Sequence, residues 1–236
     1  MTVIDKSDRF TQTETTTHWR RWAIVGGLIG ALIAGIYAVS FSSFLTVHSE
    51  RVLGAVHVSA DAVRQAAAVP PGIQLARVDT NAVGDRVSKL PWVESVEVRR
   101  GWPNVLVIVV TERTPVAVIP TGHGFSYVDS SGTSFDTVAK VPAGTPLLIS
   151  RDQTSRLAGA TVIAALPSSF RSTITRVVAT SRDNVIMALP GSAHVQWGSA
   201  QDSDRKYAVL SALLHLRARF YDVSAPDLPT TRGTLN

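Results

Sequence analysis

The chain has 236 residues, of which 45% are hydrophobic, 17% charged and 7% aromatic, and it carries a formal net charge of +5 without a single cysteine. This composition excludes a disordered protein and a disulfide-stapled miniprotein, and the lack of cysteine excludes thiolate metal sites, iron–sulfur clusters and a cysteine nucleophile. The basic residues are dispersed and form no long run, which argues against a nucleic-acid-binding arm.

The first predicted element is a membrane-spanning helix. No formally charged residue occurs between Arg21 and Glu50, and an apolar stretch fills most of that interval. At a rise of ~1.5 Å per residue, about 20 apolar residues cross the hydrocarbon layer of a bilayer. We expect a cytoplasmic tail over residues 1–22, a single transmembrane helix over 23–45 and an extracytoplasmic remainder, because basic residues precede the span.

A cleaved signal peptide is the competing interpretation of this segment. Ala38-Val39-Ser40 resembles a small-residue cleavage site that follows a basic region. Cleavable apolar regions are ~7–15 residues long, however, whereas this one continues to Val47. We therefore favour the uncleaved anchor.

Small residues within the span predict a helix-packing face. Gly26 and Gly30 are four residues apart, and Gly35 belongs to a second series with the same spacing. Small residues at this spacing let a second membrane helix approach closely, so these three glycines are candidate helix-packing residues.

Residues 46–114 predict the order strand, helix, helix, strand, strand. Ser59 and Asp79 are candidate N-caps of two short helices, which Pro70 and Pro91 would end. The predicted segments are a strand within 44–58, helices over 60–68 and from 79 or 80 to 90, and strands over 92–100 and 105–111. The last strand is almost wholly apolar, so we expect it to be covered on both faces.

Residues 115–236 predict a mixed β-domain with two helices. Asp129 and Gly132 favour a tight turn within a hairpin. Helices are expected over 157–166 and about 202–217, and strands over 174–179, 185–189 and 194–197. The whole chain is thus predicted to have an α+β fold after its membrane helix.

The sequence contains no evident catalytic or metal-binding motif. The six histidines have no zinc-ligand spacing, and no nucleophile elbow or phosphate-binding loop occurs. Glu94 and Glu97 could form an acid–base pair, but their alternation with Arg99 and Arg100 indicates a solvated sheet face. We expect no enzyme, no cofactor and no metal; an anchored, exported cell-wall enzyme or glycan-binding protein is the alternative.

Several residues, in this order, resemble the FtsQ/DivIB family of bacterial cell division proteins. The resemblance is carried by Leu90-Pro91-Trp92-Val93, Trp102-Pro103, Glu112-Arg113 with Pro115 and Ala117, and Tyr127-Val128-Asp129 with Gly132 and Phe135. It implies a POTRA domain over 46–114 and a family-type β-domain over 115–236, whose last two strands fall at 220–223 and 228–232. It also implies a single-pass protein of the plasma (inner) membrane at the division septum.

The resemblance also implies partners. Proteins of this family bind the FtsB–FtsL coiled-coil pair through the C-terminal β-domain, link early and late division proteins and help control septal peptidoglycan synthesis; a septal synthase and an FtsK-type protein are further partners of this kind. No nucleic-acid partner is implied, and membrane lipid is contacted through one helix.

The C-terminal strand is the expected binding edge, because an exposed sheet edge can accept an extended partner by β-augmentation. Carried over by position, the contact surface comprises Tyr221, Val223, Leu228, Thr230, Thr231 and Arg232. Pro226 and Pro229 lack amide donors, so we expect pairing to be short, over about 230–233, with Arg232 facing an acidic partner.

Overall fold

The computed structural model describes residues 16–40 and 45–234, and the side chains of residues 21–37 and 45–234. Helix α1 (Thr16–Ser40) comes first, and its described side chains are exposed. Among the residues described, no helix combines the length and the apolar character that crossing a bilayer requires. Most of the predicted tail, up to residue 15, and residues 41–44 of the predicted span lie outside the described residues.

A three-stranded sheet with two helices follows. Its elements are β1 (Ser49–Leu53), α2 (Ala60–Ala67), α3 (Thr80–Val87), β2 (Val93–Gly101) and β3 (Val105–Glu112). Strand β3 is central, parallel to β1 and antiparallel to β2. The predicted order strand, helix, helix, strand, strand is therefore confirmed.

Both helices begin where the sequence predicts, because each has a side chain that caps its first turn. The Ser59 hydroxyl accepts a hydrogen bond from the Ala62 amide at 3.1 Å. The Asp79 carboxylate accepts from the amides of Asn81 and Ala82 at 3.1 and 3.0 Å. These bonds satisfy amides that have no partner within the helix.

The helices α2 and α3 pack on one face of this sheet. Leu106, Ile108 and Val110 of β3 are buried in one cluster with Val63 of α2 and Val83 of α3. The alternate residues of β3, at 105, 107 and 109, are only half-buried. The expectation that β3 is covered on both faces is therefore wrong: its apolar second face has no helix over it.

The second domain is built on a nine-stranded sheet. Its strands are β4 (Ala117–Thr121), β5 (Gly124–Val128), β6 (Ser134–Val138), β7 (Leu147–Ser150), β8 (Arg176–Ser181), β9 (Asn184–Ala188), β10 (His194–Gly198), β11 (Ala218–Asp222) and β12 (Thr230–Thr234). The helices are α4 (Gln153–Ala165), α5 (Ser168–Arg171) and α6 (Ser203–Leu213), with short 3-10 turns at Pro190–Ser192 and Leu214–Leu216; a further 3-10 turn, Leu75–Arg77, lies between α2 and α3 in the first domain. The strand order is β12-β11-β10-β9-β8-β7-β4-β5-β6.

The two predicted helices are the crossovers of this sheet. Strands β7 and β8 are parallel and joined through α4 and α5, whereas β10 and β11 are parallel and joined through α6. Parallel neighbours need such long connections, since a tight turn can only join antiparallel strands. The one-turn helix α5 is an addition to the two helices that the sequence predicts.

Helix α4 begins four residues before its predicted start. The Asp152 carboxylate accepts from the Ser155 amide at 2.8 Å, and the Ser155 hydroxyl oxygen accepts from the Asp152 amide at 3.1 Å. This reciprocal capping box fixes the first turn. Further along, Gly159 lets the helix approach the sheet, because a Cβ there would lie 2.5 Å from the Leu148 side chain.

Glu112, at the end of β3, holds the loop between β1 and α2. Its carboxylate accepts hydrogen bonds of 2.7–3.0 Å from the amides of Val56, His57 and Val58, and lies 2.8 Å from His57 Nδ1. The side chain is only 9% exposed. Burial by itself raises the pKa of Glu112, but the hydrogen bonds from Val58, His57 and Val56 outweigh it and lower the pKa to about 2.

Arg113, the next residue, joins the first domain to the second. Its guanidinium donates to Asp129 at 2.5 Å, and both side chains are largely buried. Trp92 lies at the same junction: its indole N–H donates to Asp136 at 2.7 Å, and its ring contacts Phe135 edge-on with centroids 5.2 Å apart. Polar and aromatic contacts thus link the two domains side by side.

The β5–β6 turn beyond Asp129 rests on helix α4. The Gly132 amide donates to the Asp129 carbonyl at 3.0 Å, and Gly132 has a φ of +74°. A Cβ at Gly132 would lie 2.9 Å from the Cα of Leu157 in α4. A glycine is therefore needed both for the turn and for the close approach to the helix.

The lowered pKa of Glu112 predicts a pH-dependent contribution to stability. A carboxyl with a depressed folded-state pKa stabilises the fold above its unfolded pKa of 4.5, and this contribution is lost as pH falls toward 2. We expect Glu112→Gln to reduce the free energy of unfolding by about 2 kcal/mol near neutral pH, with the difference from wild type shrinking between pH ~4.5 and ~2. Urea unfolding of the full chain over this pH range measures it. Glu94→Gln is the exposed control, and a difference that does not change with pH would contradict the prediction.

Candidate functional site

The carboxylate pair considered for acid–base chemistry is exposed. Glu94 and Glu97 both face solvent on β2, and Glu97 accepts two hydrogen bonds of 2.5 Å from Arg99. The hydrogen bonds from Arg99 lower the pKa of Glu97. A general acid requires a raised pKa, so this arrangement favours a permanently ionised carboxylate and not a proton donor.

Metal ligands are not gathered anywhere in the part of the chain that the structure describes: no group of three or more His, Asp or Glu side chains there could hold a metal ion. His57 is bonded to the carboxylate of Glu112.

A cleft of about 210 Å³ lies between α4 and the loops around 182 and 200, and its charged residues, Arg182 and Asp183, are exposed.

The feature that does stand out is strand β12, which lies at one edge of the nine-stranded sheet. It pairs antiparallel with β11, with Thr230 opposite Asp222, Thr231 opposite Tyr221 and Arg232 opposite Phe220. Among the described residues it has no strand on its other side. Its outer row of backbone amides and carbonyls is available for another strand.

Two of the six expected contact residues point into the core. Tyr221 and Val223 are 1% and 0% exposed and belong to the main cluster of the second domain. The Tyr221 hydroxyl accepts a hydrogen bond from the buried amide of Ala218 at 2.8 Å. Residues of β11 alternate between faces, and the face that includes Tyr221 packs on the domain interior. Both side chains are therefore covered in the described structure, and their part in a partner contact stays a prediction.

The other four expected residues lie at the edge. Leu228 is 80% exposed just before β12, Thr230 and Arg232 are exposed, and Thr231 is half-buried. The Arg232 guanidinium lies over the ring of Phe220 on the neighbouring strand β11, 5.5 Å from its centroid. The structure thus brings an apolar side chain, a cation and free backbone groups together.

The loop that leads into β12 is held by its own hydrogen bonds. The Ser224 amide and hydroxyl donate to Asp222 at 3.0 and 2.6 Å, and Asp227 forms an ion pair with Arg205 of α6. Pro226 and Pro229 both lie in this loop, so they remove no donor from the strand. Strand β12 covers Thr230–Thr234 and pairs with β11, whereas the expected pairing of 230–233 with a partner stays a prediction.

Lys206 is a positioning residue whose environment the sequence analysis missed. It is 2% exposed, and its ammonium donates to the Ser199 carbonyl at 2.9 Å, which attaches α6 to the segment after β10. Burial lowers the pKa of Lys206. Lys206 is four residues before the buried Leu210, and this spacing is the signal that places both on one helix face.

The glycines of α1 have open surroundings. A Cβ added at Gly26, Gly30 or Gly35 would meet no other described atom within 4 Å. No part of the described chain packs against this face, and their role in packing a second helix stays a prediction.

Two family models together match most of the chain. The POTRA domain of FtsQ type matches residues 49–113, and the C-terminal domain of the cell division protein FtsQ/DivIB matches residues 117–228. The first range spans the three-stranded sheet, and the second spans the nine-stranded sheet up to the loop before β12, which lies beyond its last residue.

Relatives in actinobacteria match over nearly their whole length. A cell division protein FtsQ of Streptomyces bingchenggensis is 36% identical over 226 residues, which cover 89% of this chain and 85% of the relative. That of Streptomyces coelicolor is 32% identical over 234 residues, 91% of this chain and 89% of the relative. The solved extracytoplasmic domain of the division protein DivIB from Geobacillus stearothermophilus has a TM-score of 0.35 at 18% identity, covering 40% of this chain and 85% of that one, too low to support an argument.

The buried hydrogen bond of Tyr221 predicts a stability effect next to the edge. Tyr221→Phe leaves the Ala218 amide buried without an acceptor, and we expect the free energy of unfolding to fall by about 1–3 kcal/mol. Urea unfolding of the full chain measures this. Tyr207→Phe, at a half-buried tyrosine of α6, is the matched control. Equal stability of the two variants would show that the Tyr221 hydroxyl is not needed.

Proposed function

Because the chain belongs to the FtsQ/DivIB family of bacterial cell division proteins, we propose that it is a membrane-anchored scaffold of the division machinery that binds partner proteins through strand β12. The family is non-enzymatic. In this proposal the chain links early and late division proteins and helps control septal peptidoglycan synthesis by holding a pair of FtsB and FtsL type.

The free edge of β12 carries the proposal. A partner strand placed about 4.8 Å beyond β12 would satisfy backbone groups that the described chain leaves unpaired. Such pairing supplies affinity through main-chain hydrogen bonds, whereas side chains beside the edge supply specificity. An extended segment next to a coiled coil is the partner chemistry that fits a five-residue strand.

The side chains beside the edge narrow the chemistry of the partner. Leu228, 80% exposed, offers apolar area worth roughly 1.5–3 kcal/mol when fully covered. Arg232 offers a guanidinium that pairs with carboxylates in a bidentate geometry. We therefore propose a partner segment with an apolar residue near Leu228 and an acidic residue near Arg232.

The membrane anchor is supported by the sequence. The segment over 23–45 contains no formally charged residue, and basic residues precede it. α1 is helical over Thr16–Ser40, and a helix satisfies its own backbone groups in lipid. We propose that this segment spans the plasma membrane once at the septum, with the N-terminus in the cytoplasm and both domains outside. A septal synthase and an FtsK-type protein are further proposed partners.

Two proline variants test whether the outer backbone groups of β12 bind the partner. Adjacent residues of a strand direct their amides to opposite sides, so of Thr230→Pro and Thr231→Pro one removes an outward amide and the other an amide facing β11. We expect the variant that retains the wild-type unfolding midpoint to lose capture of a co-purified FtsB–FtsL type pair. Full capture by both variants would rule out strand addition at this edge.

Reversing the charge of Arg232 tests the acidic partner. We expect Arg232→Glu to weaken binding of the pair by about tenfold or more, with a larger effect at low ionic strength. Titration of the full chain with the labelled pair at two salt concentrations measures it. Arg176→Glu makes the same change at an exposed position of β8, away from the edge. Equal affinities for the two variants would exclude a specific contact at Arg232.

A further inference from the structure

Trp102, in the turn between β2 and β3, has a different environment from the other tryptophans of residues 45–234. Trp92 is bonded to Asp136 at the domain junction, and Trp197 is fully buried with its indole N–H 3.3 Å from the Ser203 hydroxyl. Trp102 is 59% exposed, and its indole has no ring contact or hydrogen bond with any described residue. A large amphipathic ring at a turn tip thus lacks a protein environment.

The Trp102 turn lies at the end of the sheet where the chain enters the domain. Ser49, the first residue of β1, is level with Val105 of β3, and Val105 is level with Gly101 of β2. The amide of His48 donates to the carbonyl of Asn104 at 2.9 Å. The segment arriving from α1 therefore touches the turn that carries Trp102.

The chain between α1 and this entry point is short. Helix α1 ends at Ser40, and the described chain resumes at Leu45. Five residue steps span at most ~17 Å, so the entry end of the domain cannot lie far from the end of α1. If α1 belongs to a membrane anchor, the Trp102 end of the sheet faces the bilayer surface. Strand β12 belongs to the second domain, further along the chain.

We propose that Trp102 inserts into the lipid headgroup region of the membrane that holds α1, and so fixes the orientation of the first domain on the membrane surface. The inference rests on the proposed anchor. Tryptophan favours the membrane interface, because its ring is apolar and its N–H can bond to headgroup and water oxygens.

The charges at this end agree with a phospholipid surface. Arg99 and Arg100 precede the turn, and both are exposed; the Arg99 guanidinium is paired with Glu97, so Arg100 supplies the positive charge that has no carboxylate partner among the described residues. Arg100 donates to the carbonyls of Leu75 and Val78 at 3.0 and 2.6 Å, which keeps its guanidinium beside the entry end. Guanidinium groups next to a tryptophan attract anionic headgroups within a Debye length of the surface. A phospholipid surface therefore fits both the aromatic and the cationic groups.

Lipid-attached nitroxides test the insertion in the full chain. Trp19→Phe and Trp22→Phe together remove the tryptophans of α1 and leave Trp92, Trp102 and Trp197 as emitters. This chain is placed in nanodiscs of phosphatidylcholine and phosphatidylglycerol that carry a nitroxide near the headgroup. We expect clear loss of fluorescence, and we expect adding Trp102→Phe to abolish that loss. Equal unfolding midpoints verify that the exposed position leaves the fold unchanged.

A second variant separates this inference from the anchor on which it rests. A chain with Trp102→Phe that retains Trp22 reports the anchor by quenching of Trp22 in the same nanodiscs. Quenching of Trp22 without quenching of Trp102 overturns the insertion and leaves the anchor standing. If neither Trp22 nor Trp102 is quenched and the chain is released from the nanodiscs at alkaline pH, both the insertion and the anchor are overturned. Shielding of Trp102 from iodide only when the FtsB–FtsL type pair is added would assign the residue to a protein contact and also overturn the insertion.

Discussion

The two domains are linked at the end of strand β3, where the consecutive residues Glu112 and Arg113 bind different parts of the chain. The carboxylate of Glu112 gathers three amides of the loop before α2, and the guanidinium of Arg113 reaches Asp129 in the next domain. Glu112 is the last residue of β3, and Arg113 follows it. Two neighbouring residues therefore hold a loop within the first domain and the start of the second. Trp92 adds a bond to Asp136 at the same junction. Everything that lies beyond, including the edge strand, takes its position from this contact.

The edge itself depends on long connections. β11 reaches its place beside β10 only through α6, and α6 is held by the buried Lys206 and Leu210. A buried ammonium is expensive to desolvate, and the bond from Lys206 to the Ser199 carbonyl offsets part of that cost. Buried polar groups such as Lys206 and Glu112 thus position strands and loops.

Local sequence patterns predicted most of the helices and strands. The incorrect predictions concern what a given helix or strand packs against. Ser59 and Asp79 identify helix starts because capping is a matter of three or four residues. The start of α4 could have been found from Asp152 and Ser155, whose spacing is that of a capping box. The uncovered face of β3 and the burial of Tyr221 could not be found this way, because they depend on which side the helices α2 and α3 occupy and on the neighbours of β11 in a nine-stranded order. The edge strand was predicted from the resemblance to the family, by position; the direction of each side chain along it was not.

The contact of Gly132 with Leu157 has a mechanical consequence. The turn that begins at Asp129 is bound by Arg113 on one side. On its other side Gly132, which has no side chain, lies directly against the backbone of α4 at Leu157. A tilt of the first domain that displaces Asp129 would press directly on α4, which carries the chain from β7 to β8 in the middle of the large sheet. A displacement of the first domain would in this way be passed to the large sheet, and the linker between the domains would behave as a stiff joint.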